Sequence, residues 1–533
     1  MLDAALKKGL GILIGAWLAL AVACLFLITL GTDEAWVLNG LRSTLEPVVP
    51  GMSGDVMYTS GGVYALANLG LEWAFGSVVW VHRAASMAWL LALVVLVARL
   101  GARPGRTWTT AALTVAPMIG LPGTAEVGTL ALGHSAASFL LIAGILAWSR
   151  SERPGIGRAI AVGLLLGLAA ATRPEIMMVV VPLVASGAIR PEGSGLGRFR
   201  VPWMTFVPVA LVFGGLAANV ALLQRISAPI SMEDSLSRAA ASTGMLNGLV
   251  GGLLDYPRFL NKLVAGQSFE PFWALVFASI APFWVRSDDP AERRLSALLV
   301  ATGWVLVFGW LFLSPLPHLR YLWASLACFA IPMGLALSRV YDRAIRDDRV
   351  PHALSCLVLA AASLLGGLGG SFRSIVLGNG DTLSWEWSHE ISLDLYRRFQ
   401  AIQDEHAAIE YLKTEIPPDA TVFTYLQFNL IYRAHRPVFN LNYHLMNPDS
   451  PPMKQRNGPS YMVFTPAVGP FLYLDPKAYE WYAAHSTLVK QIGRYSFYRI
   501  DGGWPEKLED RRLLHYYAVP YGRHPLSENW WGH

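Results

Sequence analysis

Long apolar runs separated by short clusters of basic residues dominate the first 372 positions of the chain. Backbone polar groups cannot be left unpaired in hydrocarbon, so an apolar run of about 20 residues that spans a membrane must be helical. The pattern predicts about 11 transmembrane helices, at 10–30, 78–100, 107–122, 126–148, 157–172, 175–190, 201–222, 270–285, 295–313, 320–340 and 352–372. The predicted fold class is therefore a polytopic α-helical membrane protein.

The basic residues test this count, because the positive-inside rule expects Lys and Arg in alternate connections. They fall in alternate connections, at Lys7/Lys8, Arg99/Arg103/Arg106, Arg150/Arg153/Arg158, Arg190/Arg198/Arg200, Arg286/Arg293/Arg294 and Arg343/Arg346/Arg349. The rule places these clusters and the N-terminus in the cytoplasm. Usage rich in Ala, Gly, Leu and Arg but poor in Lys is compatible with a bacterium, so we expect a multi-pass protein of the bacterial inner membrane.

Three segments then lie on the outer face. They are a loop at 31–77, predicted to carry amphipathic helices, a loop at 223–269, and the C-terminal region 376–533. The mixed charges of the second loop are typical of a solvated face. We divide the chain into a transmembrane domain, 1–375, and a periplasmic domain, 376–533, and expect the functional site on the outer face.

The C-terminal region changes its periodicity. Apolar residues repeat at helical spacing over Gln400–Ile416, and Pro417-Pro418-Asp419 then break the helix. β-branched and aromatic runs predict strands at Thr421–Tyr425, Val438–Leu441, Tyr461–Thr465 and Tyr495–Ile500, with a helical stretch at Lys477–Ile492. The region is therefore predicted to be a small extracytoplasmic α/β domain.

The composition argues against several classes of protein and site. The chain has 533 residues, of which 54% are hydrophobic and only 15% charged, with a mean hydropathy of +0.40, and such a chain is rarely a soluble globular protein. The net charge of +5 is spread over short clusters instead of one stripe, which argues against a nucleic-acid partner. No cysteine occurs in the polar C-terminal region, which excludes a disulfide or a zinc–thiolate site there.

Two carboxylates, Asp33 and Glu34, follow the first predicted helix immediately and lie at the lipid–water boundary. Placing an ionisable group at that depth costs free energy, so such groups usually pair with another group or have a function. Asp33 can cap a following amphipathic helix, Glu34–Leu45, and it can also serve as a general base that takes a proton from an attacking hydroxyl. The two roles are compatible. With Glu126, these carboxylates could form a hard oxygen site for a divalent metal, although no spacing demands one.

Three arginines stand at the predicted outer ends of helices, where a planar guanidinium suits phosphate oxygens. The candidates for phosphate binding are Arg83, Arg173 and Arg320, together with His318. For a single arginine, snorkelling at a helix end is an equally good explanation. Glu126 and His134 are candidates for a second acidic or polar site. Their simpler explanations are an acid in a first helical turn and a hydrogen-bonded histidine in the core.

Four stretches together resemble the GT-C superfamily of membrane glycosyltransferases, which includes protein O-mannosyltransferases and the aminoarabinose transferase acting on lipid A. The stretches are the Asp33-Glu34 pair, His82-Arg83-Ala84-Ala85-Ser86, the run from Gly163 to Pro174, and His318-Leu319-Arg320-Tyr321. They match in order and approximate spacing over residues 1–340, and 409–420 resembles the external tail domain. The chain departs from many relatives at Ser60-Gly61-Gly62, where they carry a proline pair. Many relatives also have an acidic residue in the third or fourth helix, and the candidates for that position here are Glu126 and, a little later, His134.

The resemblance implies a polyprenyl-phosphate sugar donor that enters from the membrane, attack by an acceptor hydroxyl, and inversion at the anomeric carbon. Asp33 would be the general base, with Glu34 beside it. Arg173 and Arg320, helped by His318 and Arg83, would stabilise the charge growing on the leaving phosphate. In this superfamily a loop such as 223–269 often closes over the donor.

Two other functions stay open at this stage. A transporter or flippase of a lipid-linked saccharide would use the same arginines to bind phosphate without chemistry, and a non-catalytic scaffold would use the external domain to bind a partner. The sequence does not identify the sugar, and the acceptor can be a lipid, a glycan or a protein.

Overall fold

The computed structural model describes residues 2–28, 34, 38, 62–76, 78–102, 104–105, 107–121, 123–150, 155–188, 203–226, 279–280, 285, 287–313, 322–377, 391–424, 430, 433–434, 438–440, 458–464 and 485–501. The helices in these ranges are α1 (Leu2–Leu27), α2 (Gly62–Phe75), α3 (Val79–Gly101), α4 (Thr107–Ile119), α5 (Thr124–Thr129), α6 (His134–Ser149), α7 (Ile156–Thr172), α8 (Val180–Ala188), α9 (Phe206–Ile226), α10 (Pro290–Leu313), α11 (Trp323–Arg346), α12 (Val350–Leu377) and α13 (Ile391–Thr414). Short 3₁₀ helices at Pro174–Val179 and Trp203–Thr205 precede α8 and α9.

Most of the predicted membrane spans overlap described helices. Within the described ranges, α1, α3, α11 and α12 are long and apolar enough to cross a membrane, and shorter apolar helices lie at His134–Ser149, Ile156–Thr172, Pro174–Ser186 and Trp203–Asn219. Every predicted span except 270–285 overlaps a described helix. Most of 270–285 lies outside the described residues, so the count of eleven stays a prediction.

One predicted span is wrong in detail, because the single helix expected at 126–148 is two helices. The chain leaves α5 at Leu130 and starts α6 at His134, and Gly133 between them has a φ of 76°, in the left-handed region that favours glycine. A Cβ on Gly133 would lie 3.0 Å from Cγ2 of Thr172. The helix therefore breaks where α7 packs closely against the link 130–133.

Helices α7 and α9 approach each other through glycines. A Cβ on Gly167 would lie 2.6 Å from the carbonyl oxygen of Leu211, and one on Gly215 would lie 2.4 Å from that of Gly167. Small residues allow such close backbone contact, which is how helices associate in lipid. Another side of α7 exposes a stripe of apolar side chains at a spacing of four residues, namely Ile156, Ile160, Leu164 and Leu168. An exposed apolar stripe of this kind is typical of a helix that faces lipid.

The C-terminal region contains a mixed five-stranded sheet. Its strands are β1 (Thr421–Thr424), β2 (Val438–Asn440), β3 (Ser460–Phe464), β4 (Ser486–Ile492) and β5 (Tyr495–Ile500), in the order β2-β1-β3-β5-β4. β1 is parallel to β2 and β3, whereas β5 is antiparallel to β3 and β4. Helix α13 packs on this sheet through Tyr411, whose ring lies 4.7 Å from that of Phe497 between centroids. These elements are those of the predicted α/β arrangement; its status as a separate external domain stays a prediction.

The helical stretch predicted at Lys477–Ile492 is wrong over its described end. Residues Ser486–Ile492 form β4, which pairs with β5 across a two-residue turn at Gly493, whose φ is 51°. Glycine at that position allows the turn of a tight hairpin. Pairing with β5, which lies later in the sequence, makes this run a strand although its apolar residues are spaced as in a helix.

Hydrogen bonds join neighbouring helices near both ends, whereas the orientation of the helices in the membrane stays a prediction. Near one end of the helices, Arg294 at the start of α10 donates to the carbonyl of Ser149 at the end of α6. Near the other end, Arg83 at the start of α3 donates to the carbonyl of Ile28 after α1.

We therefore expect reporter fusions after residue 155 to be cytoplasmic and fusions after residue 450 to be external. Measured activities of a paired periplasmic and cytoplasmic reporter check this expectation. A cytoplasmic signal at residue 450 would reverse the face on which the site lies.

Candidate functional site

One end of the described helices brings together several of the residues predicted from sequence. Glu34, Arg83, Glu126, His134 and Arg173 are all buried and lie around the link 130–133 or on helices that contact it. Asp33, His318 and Arg320 lie outside the described residues. The described chain resumes after Arg320 at Leu322, and the indole Nε1 of Trp323 then faces Oγ1 of Thr124, in the first turn of α5, at 3.4 Å.

Glu34 and Arg83 form a buried, two-bonded ion pair. Nε of Arg83 donates to Oε1 of Glu34 at 2.9 Å, and one terminal nitrogen donates to Oε2. The other terminal nitrogen donates to the carbonyl of Ile28 at 2.8 Å. Bidentate pairing of this kind is strong and geometrically specific. It ties the segment after α1 to the start of α3.

Glu34 also reaches the broken helix. Its Oε1 accepts a hydrogen bond from the backbone N–H of Ala131, in the link 130–133, at 3.0 Å. One carboxylate thus accepts hydrogen bonds from an arginine and from a backbone N–H in the link between the two helices. The side chain predicted from sequence to assist catalysis therefore organises the fold around the site.

Arg83 has the same organising role. Its guanidinium is 2% exposed and bonds to Glu34 and to a backbone carbonyl. Its predicted contact with a donor phosphate stays a prediction.

Arg173 occupies the position at which α7 ends. Pro174 follows it and starts a 3₁₀ turn, because proline cannot continue the helical hydrogen-bond ladder. The guanidinium is 4% exposed and pairs with Glu175 at 2.7 Å, and that carboxylate is itself 40% exposed. Thr172, beside Arg173, is the residue that contacts Gly133. Arg173 therefore lies next to the helix break, with a partner that reaches the surface.

Glu126 and His134 flank the break on its two sides. Glu126 lies in α5 and is fully buried, and His134 is the first residue of α6. The carbonyl of Glu126 accepts from the N–H of Leu130, which closes the last turn of α5. The structure brings both residues to the predicted site region, and their roles in chemistry stay predictions.

A row of buried polar residues between α2 and α3 was missed from the sequence. Both ring nitrogens of His82 are engaged, Nδ1 with Oδ1 of Asn68 at 2.8 Å and Nε2 with Oε2 of Glu72 at 2.9 Å. Tyr64, one turn before Asn68, is hydrogen-bonded through its hydroxyl to Ser86. The signal was available, because Tyr64, Asn68 and Glu72 are spaced four residues apart and share one helical face.

A metal site is neither supported nor required by the described residues. Among them, no three His, Cys, Asp or Glu side chains are grouped as metal ligands would be. Asp33, the first ligand of the oxygen site considered from sequence, lies outside them. A divalent metal therefore stays an open prediction.

Comparisons with known proteins identify the fold. No protein-family profile and no curated protein sequence matches the chain. Two crystal structures of ArnT, the lipid A aminoarabinose transferase, from Cupriavidus metallidurans do match. The structure bound to undecaprenyl phosphate has a TM-score of 0.54 at 12% identity, and the apo structure has a TM-score of 0.51 at 13% identity. Each match covers 92% of this chain and 97% of the ArnT chain.

A weaker likeness is to the apo oligosaccharyltransferase of Archaeoglobus fulgidus, with a TM-score of 0.43 and 12% identity, over 86% of this chain and 69% of that one. A TM-score below 0.5 is too low to establish a shared fold. The ArnT likeness shows that the chain has the fold of that transferase over almost its whole length, which agrees with the resemblance noted in the sequence. At this identity the likeness shows the fold alone.

Proposed function

We propose that this protein is a membrane glycosyltransferase that moves a sugar from a polyprenyl-phosphate donor to an acceptor hydroxyl on the outer face of the cytoplasmic membrane. The observation that carries the proposal is the likeness over almost the whole of both chains to an ArnT structure bound to undecaprenyl phosphate. A fold by itself hosts many functions. The proposal therefore also needs a site, and the buried polar residues around the link 130–133 supply one.

Arg173 is the proposed contact for the donor phosphate. It ends a helix with an exposed apolar stripe, which is proposed to face lipid, so a lipid-linked phosphate can reach it from the membrane. The guanidinium is buried, and water competes little for its hydrogen bonds there. The exposed side of Glu175 allows that carboxylate to yield its place to an anionic ligand. Arg320 and His318 are proposed to complete the phosphate site.

Asp33 is the proposed general base. Glu34 already accepts hydrogen bonds from Arg83 and from the Ala131 backbone, so its oxygens are engaged by other parts of the fold. The neighbouring Asp33 is the remaining acid of the pair. Glu126 or His134, across the break, is proposed to line the acceptor side.

The reaction follows from these roles. The acceptor oxygen attacks the anomeric carbon while Asp33 takes its proton, and the bond from that carbon to the phosphate oxygen breaks. The leaving polyprenyl phosphate carries away the bonding electrons, and its growing charge is stabilised by Arg173, Arg320 and His318. A single displacement inverts the configuration at the anomeric carbon. The N-terminus is proposed to be cytoplasmic and residues 376–533 periplasmic.

The phosphate contact is tested by Arg173→Ala. Removing one charge-assisted bond in a partly dry site costs about 1.5–3 kcal/mol, so we expect undecaprenyl phosphate binding and sugar transfer to fall about 10-fold to 100-fold. Binding is measured on the purified protein by displacement of a fluorescent polyprenyl phosphate.

Arg294→Ala is the matched control, because Arg294 lies at the opposite ends of the helices and bonds to the carbonyl of Ser149. It should leave lipid binding unchanged. Wild-type binding in Arg173→Ala, with its thermal stability intact, would leave snorkelling as the explanation for this arginine.

A further inference from the structure

Side chains from two helices lie close to Gly133, in the link 130–133 between α5 and α6. A Cβ on Gly133 would lie 3.0 Å from Cγ2 of Thr172 in α7 and 3.3 Å from Cγ of Tyr64 in α2. Both side chains are buried. Because glycine has no side chain, the backbone of the link can approach both of them at once. The link, α2 and α7 therefore come together at one residue.

The methyl group of Thr172 is held towards Gly133 by a hydrogen bond on the other branch of the same side chain. Oγ1 of Thr172 donates to the carbonyl of Leu168, one turn earlier in α7, at 2.8 Å. A β-branched side chain is stiff about its first torsion, so this bond fixes the position of Cγ2 as well. Arg173 follows directly, and its backbone N–H bonds to the carbonyl of Ala169 at 2.8 Å. A displacement of Thr172 against the link would therefore displace Arg173 too.

The ring of Tyr64 is anchored through its hydroxyl. That hydroxyl is hydrogen-bonded to Oγ of Ser86 in α3, which is fully buried. The backbone carbonyl of Ser86 accepts a hydrogen bond from Oγ of Ser135, the second residue of α6, at 2.9 Å. The same hydroxyl oxygen lies 2.9 Å from the carbonyl of Gly128 in α5. Ser86 and Ser135 thus connect Tyr64 to both helices that the link joins.

Hydrogen bonds between buried polar groups occur in every fold, so these bonds alone do not indicate a role in the reaction. Their location does, because they lie between the helix break, which Glu126 and His134 flank, and the end of α7 at Arg173. In the proposed reaction the guanidinium must meet the phosphate as its charge grows. A misplacement of about 1 Å at a reacting centre can cost about 100-fold in rate.

We propose that Tyr64 and Ser86 are positioning residues for sugar transfer, which act on the donor phosphate through Arg173. The hydrogen bond between their hydroxyls holds the tyrosine ring against the link, and the link in turn holds the end of α7. Neither side chain touches a reacting atom. The inference rests on the proposed function and adds to it two residues that bind no substrate.

Tyr64→Phe tests the role of the hydroxyl, because it keeps the ring. We expect kcat for sugar transfer to fall about 10-fold or more and KM for the donor to change less than about threefold, since a misplaced guanidinium loses most in the transition state. Rates are measured on the folded fraction, with polyprenyl-phosphate-linked hexoses and pentoses as donors. Tyr341→Phe is the matched control, because it changes a buried tyrosine in the last two turns of α11 and should leave both constants unchanged. An unchanged kcat in Tyr64→Phe would overturn the proposal.

The double variant Tyr64→Phe/Ser86→Ala separates positioning from stability. Each single variant leaves one buried hydroxyl without its partner, and we expect its unfolding temperature to fall. The double variant leaves neither hydroxyl, so much of that loss should be recovered, while kcat should stay as low as in Tyr64→Phe because the ring is still not anchored. Recovery of transfer together with stability would assign both side chains to folding alone.

The path through Arg173 is tested by combining Tyr64→Phe with Arg173→Ala. If the tyrosine acts on that guanidinium, the double variant should transfer sugar about as fast as Arg173→Ala alone, whereas additive losses would overturn this path. A wild-type protein that transfers no sugar from any of these donors would overturn the proposed function and this inference with it. An active wild type with an equally active Tyr64→Phe variant would overturn the positioning role alone.

Discussion

Asp33→Asn is expected to leave a folded protein that binds polyprenyl phosphate and transfers sugar at least about 100-fold more slowly than the wild type. A sugar hydroxyl is a poor nucleophile at neutral pH, and a carboxylate within about 3 Å can take its proton as attack proceeds. Asparagine keeps the size and most of the capping ability of aspartate but cannot accept that proton. Transfer is measured with a panel of polyprenyl-phosphate-linked hexoses and pentoses, alongside the lipid-binding assay.

Glu34→Gln is the control for this variant. Glutamine can still accept hydrogen bonds from Arg83 and from the Ala131 N–H, and it should therefore retain more activity than Asp33→Asn. A reversed order would assign the base to Glu34. Full transport of a lipid-linked saccharide by Asp33→Asn, without any transfer, would instead identify a flippase that uses the same phosphate site.

Glu34→Ala and Arg83→Ala are each expected to destabilise the protein by about 3–5 kcal/mol. Either change leaves the other member of a buried ion pair without its partner, and an uncompensated buried charge is costly. Glu34→Ala also removes the acceptor for the Ala131 backbone. Unfolding is followed by denaturant titration in a mild detergent, with undecaprenyl phosphate absent so that binding does not contribute.

The double variant Glu34→Leu/Arg83→Met separates this mechanism from a general loss of packing. Replacing both charges by apolar side chains of similar size should recover much of the lost stability. Arg158→Ala, at an exposed position in the first turn of α7, should change stability by less than about 0.5 kcal/mol. Strictly additive losses in the double variant would show that the pair is not coupled.

The membrane spans were predictable because every helix that crosses lipid needs a long apolar run. Apolar runs such as 78–100 and 352–372 needed no knowledge of their neighbours, and described helices overlap both. The resemblance at Asp33-Glu34 and around Arg173 likewise rested on residues close together in sequence. The ArnT likeness agrees with it at the level of the fold.

What escaped prediction depends on contacts between distant residues. The break before His134 lies where Thr172 approaches Gly133 closely, and a run of apolar residues gives no sign of that contact. Strand β4 exists because β5 pairs with it, although its sequence also fits a helix. The ion pair between Glu34 and Arg83 joins residues 49 positions apart, and only the fold reveals it.

In the proposed reaction, the length of α7 makes bilayer thickness a variable. The helix has 17 residues and is therefore about 25 Å long, whereas the hydrocarbon core of a bilayer is about 30 Å thick. Such hydrophobic mismatch is relieved by local thinning of the lipid or by a terminus that lies below the headgroups. Arg173 stands at that terminus. Thicker membranes would draw the guanidinium deeper and thinner ones would raise it towards water, so the acyl-chain length of the host membrane sets how far a lipid-borne phosphate must descend to meet it.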